Sequence, residues 1–423
     1  MQKFLKPLGY IVCFCLMFCS FRFGLFMFSP DLHAKWNNYQ KDSESLVIGA
    51  IVENSSGLRQ DSKLNLFYIQ PSKTQTDSSV DLAYSLLSQL SPQNAEIETD
   101  DVIVTPYSSQ YGLQGIIFSK LYLDLNFSLE SLYTLTSAIF ALGLMILYSQ
   151  YTSIFTNFKY FPFFCFFISA ISPWTSCIAR NLYWVPVTWI LPSIIALIIW
   201  KTKNPFVQVL LFLSLTIAVT IKSLCGYEFL SFIFLLSVAP FCYLFFLRVR
   251  DRKKILRFIF LILLFEFIGF CVAIIIHAAS RADSIFAGLQ SIWELDVKRR
   301  TFGEASLFGL QYKASLEASV FEVVWKYFGF LPYLFLIVSS CFLMIATYIK
   351  SKATCIKHLV LLSIVFSVPP LSWYILAKGH SYIHTHINFV LMDFGFVSSL
   401  LFSMAACVSL LLNKNYLAIK NGR

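Results

Sequence analysis

The residues best equipped for chemistry in this 423-residue chain gather around one stretch, Ala377 to Asn388, reading AKGHSYIHTHIN. It holds His380, His384 and His386, half of the six histidines present. Imidazole can bind a metal, carry a proton near neutral pH or hydrogen-bond to a phosphate. His384 and His386 alternate on an extended segment and His380 lies a helical turn before His384, so three rings could converge as on a catalytic zinc ion. The stretch lacks the HExxH form, and lining a polar pocket or bonding to a ligand phosphate accounts for it with fewer demands. The sequence therefore fixes no cofactor, and a divalent metal on these three histidines stays open.

Other groups suit the same chemistry. Asp31, in SPDLH, directly follows the first apolar run, where its side chain can reach along a membrane surface and act as general base toward an acceptor hydroxyl. The plainer alternative is a capping or solvated Asp after Pro30. His33 stands two residues further on. Cations recur at the ends of apolar runs: Arg180 in ARNLYWVP, Lys222 ahead of Tyr227 and Glu228 in KSLCGYE, Lys298, Arg299 and Arg300 in VKRRTFG, and Lys378 beside the histidines. Any one can be an anchor that snorkels to lipid headgroups. Together they suit a bound anion, and phosphate is an anion that Arg and Lys recognise well. Tyr107, Gln110 and Gln114 in TPYSSQYGLQG interleave rings with amides, which fits sugar faces and equally a plain interfacial turn. Asp100 and Asp101 form a lesser carboxylate pair, Glu266 sits inside an apolar run, and Asp393 lies close enough to the histidine stretch to orient it.

Membrane elements must hold these groups in place. The chain is 57% hydrophobic and 13% charged with a mean hydropathy of +0.68, whereas soluble domains carry about 25% charged residues. A spanning helix takes about 20 mostly apolar residues. Ten stretches approach that length: residues 8–28, 132–151, 160–172, 184–200, 205–221, 229–247, 256–277, 328–349, 359–376 and 389–412, the third short and interrupted by proline. With a cytoplasmic N-terminus, Lys3, Lys6, Lys159, Lys201, Lys203, the Arg248 to Arg257 cluster, Lys350, Lys352, Lys357, Lys414, Lys420 and Arg423 all fall on the inner side. The short outer loops keep only Arg180, Lys222 and Lys378. This is the positive-inside bias, and it explains the formal net charge of +10 as a topology signal. Nucleic-acid binding, with only the RVRDRKK run behind it, is set aside.

The expected fold is thus an all-α polytopic membrane protein of about ten transmembrane helices. Residues 1–28 form a cytoplasmic N-terminus and first helix, and 29–131 a long extracytoplasmic loop. Helices two to seven occupy 132–279, a second extracytoplasmic loop 280–327, and the last three helices with a cytoplasmic C-terminus 328–423. In the first loop Leu46–Val52 and Leu64–Gln70 read as strand-like, and Tyr111–Leu125 as an interfacial helix; in the second, Ile285–Glu304 is amphipathic with a basic end. Five of the six histidines and the candidate residues above, Glu266 apart, then share the outer face, with His358 opposite. Of the eleven cysteines, most lie within apolar runs and act as small hydrophobes; Cys177 and Cys225 share the outer face and could pair.

A long first outer loop with an acidic residue soon after the first span, interfacial helices and chemistry on the outer face make the chain resemble a GT-C-type membrane glycosyltransferase. The resemblance covers the architecture and, as a specific position, Asp31 alone; the DxD motif or acidic pair common in that superfamily is missing. It implies transfer of a sugar from a polyprenyl-phosphate-type, lipid-linked donor to a glycan or lipid acceptor among membrane lipids. Asp31 would serve as base, with Arg180, Lys222, Arg299, Arg300, Lys378 and His380 around the phosphate. His33, Tyr107, Gln110, Gln114, Tyr227, Glu228, His384 and His386 would line the pocket. A bacterial inner membrane is the expected location. The competing readings are a polysaccharide polymerase or ligase using lipid-linked oligosaccharide, and a transporter or flippase. The latter would place charges deep in several spans, where only Arg22 and Glu266 are found.

Overall fold

Hydrocarbon offers no partner to a backbone N–H or C=O, so apolar runs that enter a membrane must close their hydrogen bonds within a helix. In the computed structural model, which describes residues 2–56, 62–72, 79–90, 102–352 and 354–412, they do. Six of the described helices are long and apolar enough to cross a membrane: Leu129–Ile154, Pro205–Cys225, Leu230–Leu247, Arg252–Arg281, Leu331–Ser351 and Cys355–Leu376. Two bent pairs raise the number to eight. Phe161–Ile171 and Pro173–Ala179 meet at 68°, and Thr385–Asp393 and Phe396–Leu412 at 46°. The first and fourth expected spans are shorter apolar helices, Gly9–Phe23 and Val187–Lys201. The chain is an all-α, multi-pass membrane protein.

The two bends are tied together. Ser172 caps the Pro173–Ala179 helix, and its hydroxyl also donates to Asp393 Oδ2 at 2.5 Å, while Thr175 donates to the same oxygen at 2.9 Å. Gly395, at φ +131°, makes the second break; a Cβ there would stand 2.2 Å from the Phe366 ring. Asp393 therefore links the two broken helices rather than the histidine stretch. At one end of the bundle Tyr151, Phe155, Phe161, Tyr243, Phe366 and Phe402 pack ring on ring. Lipid tails are as apolar as these side chains, so close packing rather than escape from water holds such a cluster. Arg22 lies in the last turn of its helix, not in mid-span, and pairs there with Glu130 at 2.5 Å. Glu266 is fully buried midway along the Arg252–Arg281 helix beside Ser237.

A cap of irregular structure covers the other end. Leu46–Val52 is not a strand: it belongs to the Lys41–Ser56 helix, whose interior from Leu46 to Val52 is buried all round. Continuous burial suits a core helix as well as a strand, and the run is apolar enough for either. The second strand-like piece does form a strand, Phe67–Pro71, antiparallel to Val102–Pro106. Gly49 lets this strand cross the helix, since a Cβ there would sit 2.2 Å from the Phe67 carbonyl oxygen. The amphipathic segments are helical as expected, at Leu113–Leu123 and Ile285–Ile292, the latter continuing through Arg300. Asp100, Asp101, Lys414, Lys420 and Arg423 lie outside the described residues. Cys177 and Cys225 are buried and no disulfide joins them.

Candidate functional site

Under the cap lies a polar cavity of about 240 Å³. Five separate parts of the chain wall it. Gln40, Ser43, Tyr68 and Tyr107 come from the first long loop, Tyr183 and Trp184 from the ARNLYWVP turn, and Glu228 from the KSLCGYE turn. Arg299, Arg300 and Tyr312 come from the second long loop, and Gly379, His380, Ile383, His384 and Ile387 from the histidine stretch. Pieces of chain up to 347 residues apart thus meet here, as in the bond between Tyr39 and the His386 carbonyl.

Each wall has a local cause. Asn181 turns the ARNLYWVP segment: its Oδ1 accepts from the Tyr183 and Trp184 amides at 3.0 and 3.3 Å, and its Nδ2 donates to the Tyr39 and Gln40 carbonyls. Buried Glu44 fixes the same turn, accepting from the Leu182 amide at 2.9 Å and from the hydroxyls of Tyr84 and Tyr133 at 2.7 and 2.8 Å. Burial and the facing Glu44 carboxylate push the Tyr84 phenol well up, so it stays a donor. Gln114 joins two turns, its Nε2 donating to the Tyr183 carbonyl at 3.3 Å and the Cys225 carbonyl at 2.9 Å. The glycines of YGLQG have geometric work as well. Gly112 turns at φ +85°, and a Cβ on Gly115 would meet the Asn65 carbonyl oxygen at 1.8 Å.

The arginines hang from the second loop. A five-residue π-helical turn, Trp293–Val297, feeds the short helix Lys298–Arg300; such turns are rare and frequent at functional sites. Buried Asp296 pairs with Arg281 at the end of the long helix and with Arg299 at 3.4 Å. Arg300 Nη1 lies 3.3 Å from Glu228 Oε1, both side chains largely buried. Burial works against the Arg300 charge, but the Glu228 carboxylate outweighs it and holds the guanidinium firmly protonated. Gly379 lets the histidine stretch approach, because a Cβ there would lie 3.0 and 3.2 Å from the Arg300 and Arg299 carbonyl oxygens.

His380 is 8% exposed and its Nδ1 has no hydrogen-bond partner. Burial, then the charges of His384, Arg300 and Arg299, keep it far below the usual histidine range; burial also lowers His384. Both rings are therefore neutral at pH 7. Burial pushes Tyr68 up to about 12 and holds Tyr183 well above the phenol range, so the tyrosines line the cavity as hydroxyl donors. The three histidines do not converge on a point. The His380 and His384 rings are 4.6 Å apart, but His384 breaks the Lys378–Ile383 helix and turns His386 toward the Gln40 amide at 3.0 Å. Among the described residues no group of three or more His, Cys, Asp and Glu side chains is arranged to hold a metal ion.

Of the residues singled out from sequence, Tyr107, Glu228, Arg299, Arg300, His380 and His384 meet in this cavity. The others stand outside its wall. Asp31 is exposed in the first turn of the Pro30–Asn37 helix, and His33 is exposed against the Trp36 ring. Arg180 is clamped between the Trp36 and Tyr133 rings at 4.2 and 4.8 Å and donates to Asn37. Lys222 Nζ is buried on the Gly226 carbonyl at 2.6 Å, and Lys378 Nζ holds the Leu316 carbonyl at 2.8 Å. Tyr227 bonds to His277 Nδ1, Gln110 is buried behind Gly226, and Gln114 is the brace already described. Sequence reasoning missed Gln40, Ser43, Tyr68 and Tyr312, and it picked out the ARNLYWVP turn without its Tyr183 and Trp184. Of the first four only Tyr68 left a signal, as one of the alternating residues of a short strand.

A second cavity, about 740 Å³ and mainly apolar, adjoins the first. Met27, Leu32, Tyr39, Val80, Pro173, Trp174 and Cys177 line it, and Gln40 belongs to both walls. At the opposite end of the bundle a cavity of about 250 Å³ carries Arg248 and His358. Set against known families, curated proteins and solved structures, the chain matches none of them.

Proposed function

We propose that this protein is a membrane glycosyltransferase that moves a sugar from a polyprenyl-phosphate-type donor to a glycan or lipid acceptor. One observation carries the reading: a cavity holding Arg299, Arg300, His380, His384 and four tyrosines shares Gln40 in its wall with a larger, mainly apolar cavity. A lipid-linked sugar phosphate has the same two halves. Its chain would occupy the apolar cavity among Met27, Leu32 and Trp174. Its phosphate would lie against Arg299, Arg300 and the unpartnered His380 Nδ1, donors suited to charge that grows as the phosphate leaves. Tyr68, Tyr107, Tyr183 and Trp184 would offer faces and hydroxyls to the sugar. Asp31 stands outside this wall and takes no part.

The finer topology belongs to the same reading. Counting Gly9–Phe23 and Val187–Lys201 as crossings gives ten, with both termini on the side of the basic turns around Lys159, Lys201 and Arg248. The polar cavity then faces away from the cytoplasm of what we take to be a bacterial inner membrane. The test uses the full-length protein in nanodiscs with undecaprenyl phosphate and undecaprenol as probes, read by native mass spectrometry. Binding of the phosphate over the alcohol, weakened by Arg299→Ala, is expected, together with altered lipid-linked and surface glycans in a deletion strain. Equal binding of the two probes and unchanged glycans would refute the reading.

A further inference from the structure

We infer that Glu228 is the proton acceptor of the transfer step and that its ion pair with Arg300 couples proton removal to departure of the phosphate; this rests on the glycosyl-transfer reading above. Among the described residues that wall the polar cavity, Glu228 is the one carboxylate. The backbone around it is held in costly shapes. Phe229, the next residue, sits at φ +67°, a left-handed conformation rare for a bulky side chain. It is locked there by the Trp184, Trp189 and Trp373 rings at 5.6, 4.8 and 5.3 Å. Two residues earlier Gly226 has φ +146°, and a Cβ there would lie 2.4 Å from Glu228 Oε2. Glycine at 226 leaves room for the carboxylate, and the wedged phenylalanine fixes its direction.

The charges balance through Arg300. Before reaction its guanidinium neutralises the Glu228 carboxylate, and the donor phosphodiester carries one negative charge. The acceptor O–H gives its proton to Glu228 and its oxygen forms a new bond to the sugar's anomeric carbon. The bond from that carbon to the phosphate oxygen breaks, and its electron pair leaves with a phosphate that now carries two charges. Glu228 has become neutral, so Arg300 is free to pair with the added charge, beside Arg299 and His380. One negative charge has crossed from one side of Arg300 to the other, with no buried charge left unpaired at either stage.

The experiment compares wild-type, Glu228→Gln and Glu228→Asp proteins in membranes of a deletion strain, following transfer from the endogenous lipid-linked donor across pH, with undecaprenyl phosphate binding and thermal melting measured on the same proteins. Glu228→Gln is expected to keep undecaprenyl phosphate binding and to lose transfer by about 10²–10⁴-fold, the usual contribution of a general base. Glu228→Asp keeps the carboxylate charge opposite Arg300 and covers the case in which the glutamine variant fails to fold. It should restore part of the rate with a shifted acid limb in the pH profile, a change a merely structural residue would not cause. Wild-type transfer by Glu228→Gln, or a Glu228→Asp protein whose pH profile is unshifted, overturns the assignment of Glu228 while leaving the transferase reading intact. Wild-type glycans in the deletion strain itself overturn both.

Discussion

Arg180 decides between two kinds of cation. Sequence alone makes it a phosphate ligand or a headgroup anchor, yet its guanidinium is stacked between Trp36 and Tyr133 and bonded through Nη2 to the Asn37 carbonyl at 2.8 Å and to Asn37 Oδ1 at 3.0 Å. Replacing it with alanine removes two cation–π contacts worth about 1 kcal/mol each at a partly desolvated site. It also removes a charge-assisted hydrogen-bonding pair worth roughly 1.5–3 kcal/mol. Because Nη2 serves both Asn37 acceptors and the losses are not additive, a net cost of about 3–4 kcal/mol is expected. Lysine keeps the charge but neither the flat stack nor the paired donors, so Arg180→Lys should cost about half as much.

Unfolding entropy scales with chain length, so each kcal/mol corresponds to only about 1–2 °C for a chain of this size. Arg180→Ala should therefore melt roughly 3–8 °C below wild type, followed by tryptophan fluorescence in detergent. Undecaprenyl phosphate binding, measured on the folded protein at low temperature, should survive. The opposite pattern, unchanged melting with lost binding, would put Arg180 in the ligand site and refute the structural assignment.

Glu44→Gln should destabilise by about 2–4 kcal/mol, since an amide can accept from only part of the set formed by Tyr84, Tyr133 and the Leu182 amide; the same melting assay checks it. Gly115→Ala should prevent the cap from docking, because its Cβ would fall 1.8 Å from the Asn65 carbonyl oxygen, and limited proteolysis of residues 41–72 would report the loss. The unfolded chain protonates histidine near pH 6.5, while burial and neighbouring cations hold His380 and His384 lower when folded. The unfolded state then binds more protons below about pH 6.5, so stability falls as pH drops through that point and is unaffected above it. Melting at about pH 7.5 and 5.5 should differ less in a His380→Gln, His384→Gln double variant than in wild type.

What the sequence made legible follows from which forces are local. The helical, membrane-spanning class rests on runs of apolar residues and on the need to pair every backbone group in hydrocarbon, and both can be counted along the chain. The breaks at Ser172 and Gly395 escape such counting. They depend on where Ser172, Thr175 and Asp393 meet in space and on the Phe366 ring against Gly395, and no window of hydropathy contains them all. Leu46–Val52 failed for a related reason: a short run buried on all sides has no period, so strand and helix look alike until Gly49 is seen passing beneath Phe67.

At the site, sequence picked out the right loops more often than the right atoms. Arg299, Arg300, His380, His384, Tyr107 and Glu228 reach the cavity because the loops that carry them converge. Arg180, Lys222, Lys378 and Gln114 come from those loops or their immediate neighbours and are spent on holding them together. A polar group at a bundle end has two possible employers, a ligand or an orphaned carbonyl, and residue type does not distinguish them. Partner geometry does. Each of those four already donates to a main-chain oxygen, as most buried donors do. His380 keeps an unpartnered Nδ1, and Arg300 is paired with a carboxylate that a proton could neutralise. Unspent hydrogen-bonding capacity at a cavity wall, together with charge whose pairing can be exchanged, sets His380 and Arg300 apart from those four residues.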